Sequence, residues 1–310
     1  MRNKKVKKKM SKIERREQLQ FWVLCLPSLL KVLLFSYIPM IWLTMAFQFY
    51  IPRRGIMGSE WVGFENFDYL LKSEVASRLI VNSIALNVLG IVFSTVVSIL
   101  VGLFLFEVTS KVFLKVSQTV LIFPYFVSWP LVGVLVSSFL SERTGMLTDI
   151  LSMISGNKID FYSDPKYWRF IITFCNVWKS CGLSAITYYA VLTGVDRGIY
   201  EAAEIDGANK FQSMWHVSLP ALKLMVVLNT IMSSANILRV NFDMVYYVTN
   251  NSPSLYSSTD VIETYMFRAT RTEGDYSIGT ATGLLQGVVG LVLTLITNKV
   301  CKKLSGTSLF

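Results

Sequence analysis

Side chains that could do covalent or metal chemistry are few in this 310-residue chain, and none sits beside the partner it would need. The one histidine, His216, has no Cys, Asp or Glu at ligand spacing, so it reads as a surface residue rather than a metal ligand. Cys25, Cys175, Cys181 and Cys301 fall inside or at the ends of apolar runs, away from polar loops where an external disulfide would form, and read as inert packing thiols. Ser233 and Asp243 share an apolar run, but no histidine lies in any such run and the serine has no evident base, which argues against an intramembrane hydrolase. Gly283, Gly287 and Gly290 belong to an apolar helix, not to a G-x-x-x-x-G-K-[ST] cradle between a strand and a helix that would hold a nucleotide. The chain is therefore expected to hold no cofactor and to catalyse nothing itself.

One polar stretch stands out between two long apolar runs: "YEAAEIDGANKFQSMWHVSLP", residues 200–220. Asp196 is placed to cap a compact helix carrying Tyr200, Glu201, Ala202, Ala203 and Glu204, with acidic charge early in it. Gly207, after Asp206, ends that helix, because glycine accepts the left-handed conformation that satisfies the last carbonyls. In the second short helix, Phe211, Met214 and Trp215 recur at i, i+3, i+4 as one apolar face. Leu219 and Pro220 then open the next apolar run, where the proline's missing N–H costs nothing. Two short helices set at an angle by a glycine make a knob suited to a groove on a partner. A solvated loop with amphipathic helices lying on a membrane fits the same physics.

The elements around this knob are set by composition. The chain is 53% hydrophobic and 16% charged, with a mean hydropathy of +0.48, too apolar for a water-soluble domain. Windows of about 20 residues, enough to cross some 30 Å of hydrocarbon, predict six spans at 21–48, 79–107, 118–141, 169–193, 221–248 and 280–301. The fold class expected is thus an all-α membrane protein, with a basic segment 1–20, a six-span domain over 21–302, the knob at 194–220 and a tail 303–310. The first run is about twice the length of a signal-peptide core and reads as a retained span. With the N-terminus inside, cytosolic segments carry 17 Lys and Arg against 10 in the external loops, so both termini and the knob are expected in the cytosol. The formal charge of +10 comes largely from "MRNKKVKKKMSKIERR", which suits anionic lipid rather than nucleic acid.

Small residues recur every fourth position at Gly90, Ser94, Ser98 and Gly102 and again at Gly279, Gly283 and Gly287, giving flat helix faces for close packing within the chain or against another subunit. Short interfacial helices are expected in the external stretches 61–71 and 146–154.

The knob also resembles something known. Glu201-Ala202-Ala203, three residues, Gly207, nine residues, Val217, one residue, Leu219-Pro220 resembles the EAA loop of the inner-membrane permeases of binding-protein-dependent ABC importers, with Val217 in place of isoleucine as the one departure. "YEAAEIDGA" is similar to the carbohydrate branch, the relatives of the maltose permeases, and "SYIPMIWLTMAFQFY", "GSEWVGFENF", "FPYFVSW" and "DVIETYMFRA" look like its polysaccharide and oligosaccharide subgroup. The resemblance implies a type I importer permease fold, with Glu201, Ala202, Ala203, Asp206, Gly207, Leu219 and Pro220 in a coupling helix seated on a separate cytosolic ATPase, which would bind the ATP and Mg. It also implies a second permease subunit, different from this one, an extracellular binding protein, and a cell (inner) membrane location.

A sugar carried through such a path needs planar aromatic faces and neutral amides or hydroxyls near midplane. Tyr125 and Trp129 share a face on the third span, flanked by Pro124 and Pro130; Asn176 and Ser180 pair on the fourth; Ser233 and Asn236 pair on the fifth. These six are the candidate substrate residues, and the competing reading makes them interhelical hydrogen-bond groups. Lys179, near midplane, must face a partner, a cavity or water, and reads equally as an electrostatic gate or as a group bonded to a backbone carbonyl. Arg239 and Asp243, i and i+4 apart, are expected to pair. A secondary transporter or channel would need buried acids, and only Asp243 and Glu107 fall within the spans, both toward span ends. A permease for a non-sugar solute is the other alternative.

Overall fold

The computed structural model describes residues 12–142 and 145–305; the basic residues 1–11, Arg143 and the tail from 306 lie outside the described residues, as does the side chain of Cys301. Among the described residues, five helices are long and apolar enough to cross a membrane, six when one sharply bent pair counts as a single crossing.

The first crossing, Arg16–Phe47, has its apolar side chains exposed on all sides, as a helix facing lipid must. It runs from Lys12–Val32 through a π turn, Leu33–Tyr37, into a 3-10 stretch, Ile38–Phe47, that opens beside Pro39. Only its end, at Met45 and Ala46, is buried, where the stretch packs on the last helix.

The centre of the molecule is the pairing of Glu74–Glu107 with Trp168–Thr193. Here the small-residue face does the work expected of internal packing. A methyl group on Gly102 would sit 3.0 Å from the carbonyl oxygen of Ala185 and from Cβ of Tyr188, and Ser94 Oγ lies 3.4 Å from Ser180 Oγ. On the opposite side of the fourth crossing, a Cβ at Gly182 would collide with the backbone carbonyl of Leu121, so glycine is what lets the third crossing approach. Gly279 and Gly283 of the last helix, Tyr276–Ser305, likewise press against Thr270 and Met266, whereas Gly287 and Gly290 face open space.

Two crossings depart from the uninterrupted runs expected. The third is broken: Lys111–Phe126 and Trp129–Leu140 meet at 95°. Pro124 near the end of the first half and Pro130 at the start of the second remove helix N–H donors, and Val127 and Ser128 turn to extended backbone between them. The fifth stops at Ala235, and the chain resumes as a helix only at Phe242–Val248, capped by Asn241 Oδ1 accepting from Met244 N at 2.9 Å. Arg239 and Asp243 therefore lie on opposite sides of a helix start, helical i, i+4 spacing does not apply, and among the described residues they form no ion pair. Phe242–Val248 packs instead on Trp129–Leu140, inside an apolar cluster with Trp168, Ile172 and Val261.

The expected external helices form as Glu65–Lys72 and Met146–Ser155. The first is held by an aromatic cluster in which Phe47 stacks on Trp61 at 5.7 Å and meets Phe64 and Phe67 at 5.4 and 5.3 Å. Nearby Asp260, 0% exposed in its side chain, takes Arg268 at 2.8 Å and Arg78 at 3.2 Å, while Asn82 donates to the Asp260 carbonyl at 3.0 Å and accepts from Arg169 at 2.8 Å. That network ties the second and fourth crossings to Ile262–Arg271.

Candidate functional site: a knob, a continuous helix and two polar cavities

The knob is built by local hydrogen bonds that its sequence specifies. Asp196 Oδ1 accepts from Gly198 N at 3.0 Å and starts Arg197–Ile205. At the other end Gly207 takes φ +81°, Ala208 N donates to Ala203 O at 2.9 Å and Gly207 N to Glu204 O at 3.0 Å, the paired bonds of a Schellman stop. Asn209 and Gln212 then satisfy each other's backbone N–H reciprocally, at 2.9 and 2.8 Å, as a capping box. Tyr200 anchors the knob to the body through Ser218 Oγ at 3.0 Å and the ring of Phe106 at 5.4 Å, and Lys210 meets Glu107 at 3.3 Å.

Glu201, Ala202, Asp206 and Gly207 are exposed and Ala203 half-buried. Ile205, unremarked in the sequence because it lies outside any periodic pattern, is 86% exposed at the tip. The expected Phe211–Met214–Trp215 face divides. Phe211 and Trp215 stack outward at 6.4 Å, and Met214 turns inward with Leu219 onto a cluster of Leu103, Tyr188, Leu192 and Leu222. Pro220 does not begin a separate helix either. A π turn over Met214–Ser218 passes ahead of it, and Lys210–Ala235 is one helix of 26 residues, the wider turn absorbing the donor that proline lacks.

That helix ends in an unwound segment, 236–241, whose backbone is satisfied by side chains from its neighbours. Asn87 of the second crossing donates to Ile237 O at 2.7 Å. Gln286 of the sixth donates to Leu238 O at 2.8 Å. Glu263 Oε1 accepts from Val240 N at 3.0 Å and from Gln286 at 2.8 Å. Burial raises the carboxyl of Glu263 above its usual range, against those hydrogen bonds. Irregular backbone inside a membrane protein survives only where it is supported this way or lines a cavity, and here both hold.

Asn236 lines cavities on both sides. One, of about 500 Å³, is walled by Ser94, Ser98, Tyr188, Asn229 and Ser233; the other, of about 320 Å³, by Arg239, Gln286, Gly287 and Gly290. Of the six candidate substrate residues, Ser233 and Asn236 thus share a polar cavity. Ser180 donates to Asn176 O at 2.7 Å and reaches Ser94, and Asn176 packs over Gly90, so this pair sits in the seam between crossings. Tyr125 and Trp129 stand at the broken third crossing, their rings 5.6 and 5.4 Å from Lys179 Nζ. Lys179 itself bonds the backbone carbonyls of Pro124, Tyr125 and Val127, which settles its role in favour of the carbonyl. Asn87, Gln286 and Asn229 escaped sequence reasoning because a lone amide in an apolar run has no pattern, and Arg239 reads there only as a partner for Asp243; an amide facing each predicted span from its neighbour is the signal that could have raised the three.

Comparison with known proteins agrees with this architecture. Residues 94–305 match the family described as binding-protein-dependent transport system inner membrane component. The chain is 35% identical to Protein LplB of Bacillus subtilis over 93% of its own length and 90% of that protein. It is 34% identical to the polygalacturonan/rhamnogalacturonan transport system permease protein YteP of the same organism, covering 97% and 93%. The crystal structure of a bacterial ABC transporter involved in the import of the acidic polysaccharide alginate superposes with a TM-score of 0.83 at 33% identity, covering 94% of this chain and 97% of that one. With its match extending from the second crossing through the knob to the last helix, the chain belongs to the binding-protein-dependent transport system inner membrane components and has the type I ABC importer permease fold.

Proposed function

We propose that this chain is the permease subunit of an ATP-driven importer, that it forms part of the translocation path for a sugar or oligosaccharide handed over by an extracellular binding protein, and that it is driven by a separate cytosolic ATPase through the 194–220 knob. The observation that carries the drive is mechanical. The knob and the unwound segment at Asn236 are joined by one helix, Lys210–Ala235, of 26 residues, about 39 Å at 1.5 Å per residue. A displacement of Glu201, Ala202 and Ile205 by a closing partner is delivered to the cavity wall as a rigid-body motion. Support for a saccharide comes from the amide, hydroxyl and aromatic lining of the cavity at Ser233 and Asn236 and from the polysaccharide transport that relatives carry out. A second permease subunit completes the path, and both termini lie in the cytosol.

The test has two parts. Mass spectrometry of what copurifies with this chain from native membranes should find an ABC ATPase and a second permease. In the same complex, Glu201→Lys should leave abundance near normal while reducing ATP-driven saccharide uptake by about 100-fold, since it reverses charge at a contact that transmits force. Uptake that persists in this variant overturns the coupling role of the knob.

A further inference from the structure

Two cations interrupt the apolar crossings near the unwound segments, and they are treated differently. The ammonium of Lys179 is consumed by three backbone carbonyls of the broken third crossing. The guanidinium of Arg239 is not. Its backbone carbonyl accepts from Asn87 and its N–H donates to Asn236 O at 2.8 Å, but among the described residues its side chain makes no hydrogen bond and no ion pair. It is exposed and lines the cavity of about 320 Å³ between the fifth and sixth crossings. The acid near enough to feel its charge is Glu263, whose Oε1 is committed to Val240 N and Gln286 and whose Oε2 is buried without a partner. Among the described residues, no acid lines this cavity or the neighbouring one across Asn236.

A guanidinium that lines a cavity with none of its donors bonded to an acid attracts an anion that enters. Arginine presents a planar fork that matches a carboxylate bidentately. Beside it, the amides of Asn236 and Gln286 can meet hydroxyls, and the bare faces of Gly287 and Gly290 leave room for a ring to approach, since nothing lies within 4 Å of a methyl placed on either. Resting on the saccharide-import reading above and sharpening it, we infer that Arg239 is a specificity-determining residue that binds the carboxylate of a uronic-acid residue, so that the path favours acidic over neutral oligosaccharides.

The test uses the purified complex with its partner subunits, in lipid nanodiscs, without the binding protein, and with and without a nonhydrolysable ATP analogue. The probes are tritiated tri-galacturonate and its fully methyl-esterified form, which keep the same rings, hydroxyls and linkages and differ in charge. Wild type should bind the acid about 10-fold more tightly than the ester, Arg239→Gln should bring the ratio near one, and Arg239→Lys should fall between, keeping the charge without the fork. Modification of Arg239 by phenylglyoxal in the wild-type complex, read by mass spectrometry, should be slowed by the acid and not by the ester, which decides the matter even if Arg239→Gln fails to assemble. A wild type that binds both probes alike, an Arg239→Gln variant that keeps the preference, or labelling that the acid does not slow overturns the carboxylate site and leaves saccharide import standing. A wild type that binds neither probe in any nucleotide state overturns the saccharide reading along with it.

Discussion

Lys179 hangs on the carbonyls of Pro124, Tyr125 and Val127 at the break in the third crossing, where Pro124 O also accepts from Val127 N at 3.2 Å. Removing the ammonium takes that donor from the carbonyls of Tyr125 and Val127, at about 1–3 kcal/mol for each one that water cannot reach. Lys179→Met should therefore lower the melting temperature of the purified complex by several degrees, with Lys179→Arg closer to wild type; an unchanged melting temperature for Lys179→Met would mean that the carbonyls are met by water. The amides divide in the same way. Asn236 faces two cavities, and among the described residues its side chain bonds only Met232 O, one turn back at 3.2 Å, so Asn236→Ala should cut saccharide uptake at least about 5-fold, the worth of a ligand hydrogen bond of about 1 kcal/mol, with complex yield unchanged. Asn176 is packed in the seam at Gly90, and Asn176→Ala should lower yield while leaving substrate preference alone. The reverse pattern, measured as uptake beside yield across a panel of oligosaccharides, would exchange their roles.

Among elements, the unwound 236–241 segment depends on its neighbours. Its backbone borrows Asn87 from the second crossing, Gln286 from the sixth and Glu263 from Ile262–Arg271, so those three must hold still for the cavity wall to exist. The helices that carry Asn87 and Glu263 are tied to each other by Asp260, which takes Arg78 from the one and Arg268 from the other. Asp260→Asn keeps the size of the side chain and removes its charge, leaving Arg78 and Arg268 close together without their acid. Breaking a buried pair from one side costs about 3–5 kcal/mol. The expected outcome is a loss of folded complex, seen as early unfolding on heating and faster proteolysis of the 249–261 stretch. Normal thermal stability would show that the arginines find solvent instead. The knob differs from these elements in being almost self-sufficient, since its Asx cap, Schellman stop and capping box are all made within residues 196–212.

For the whole molecule, the orientation expected from the Lys and Arg count puts the loop containing Met57 outside and the knob inside. Both positions are open to reagent: Met57 is fully exposed and the Lys210 side chain is 84% exposed. In a background with the four cysteines replaced, Met57→Cys should label with an impermeant maleimide in intact cells, and Lys210→Cys only after permeabilisation. Equal labelling of both in intact cells would reverse or abolish the both-ends-inside topology.

The amino-acid sequence by itself determined what depends on neighbours along the chain. Apolar runs long enough to cross a bilayer and the spacing from Glu201 to Pro220 are written in contiguous sequence, and the Asp196 cap and the turn at Gly207, each set within one or two helical turns, form where expected. It also placed small residues where the second and fourth crossings meet, because only small side chains let backbones come that close. Where the fifth crossing stops, at Ala235, was settled by the tertiary structure. Residues 236–241, NILRVN, fall inside a run read as one span, with the cap at Asn241 as a local signal; the helix ends where Asn87, Gln286 and Glu263, distant in sequence, offer its backbone other partners. The 95° bend of the third crossing lies between these cases, signalled by Pro124 and Pro130 but held open by Lys179 from another helix. Hydrogen bonds within a helix follow from local sequence, whereas those that replace them at a break come from residues that only folding brings near, and that is why the cavity around Asn236 and the unpaired Arg239 emerged from the fold alone.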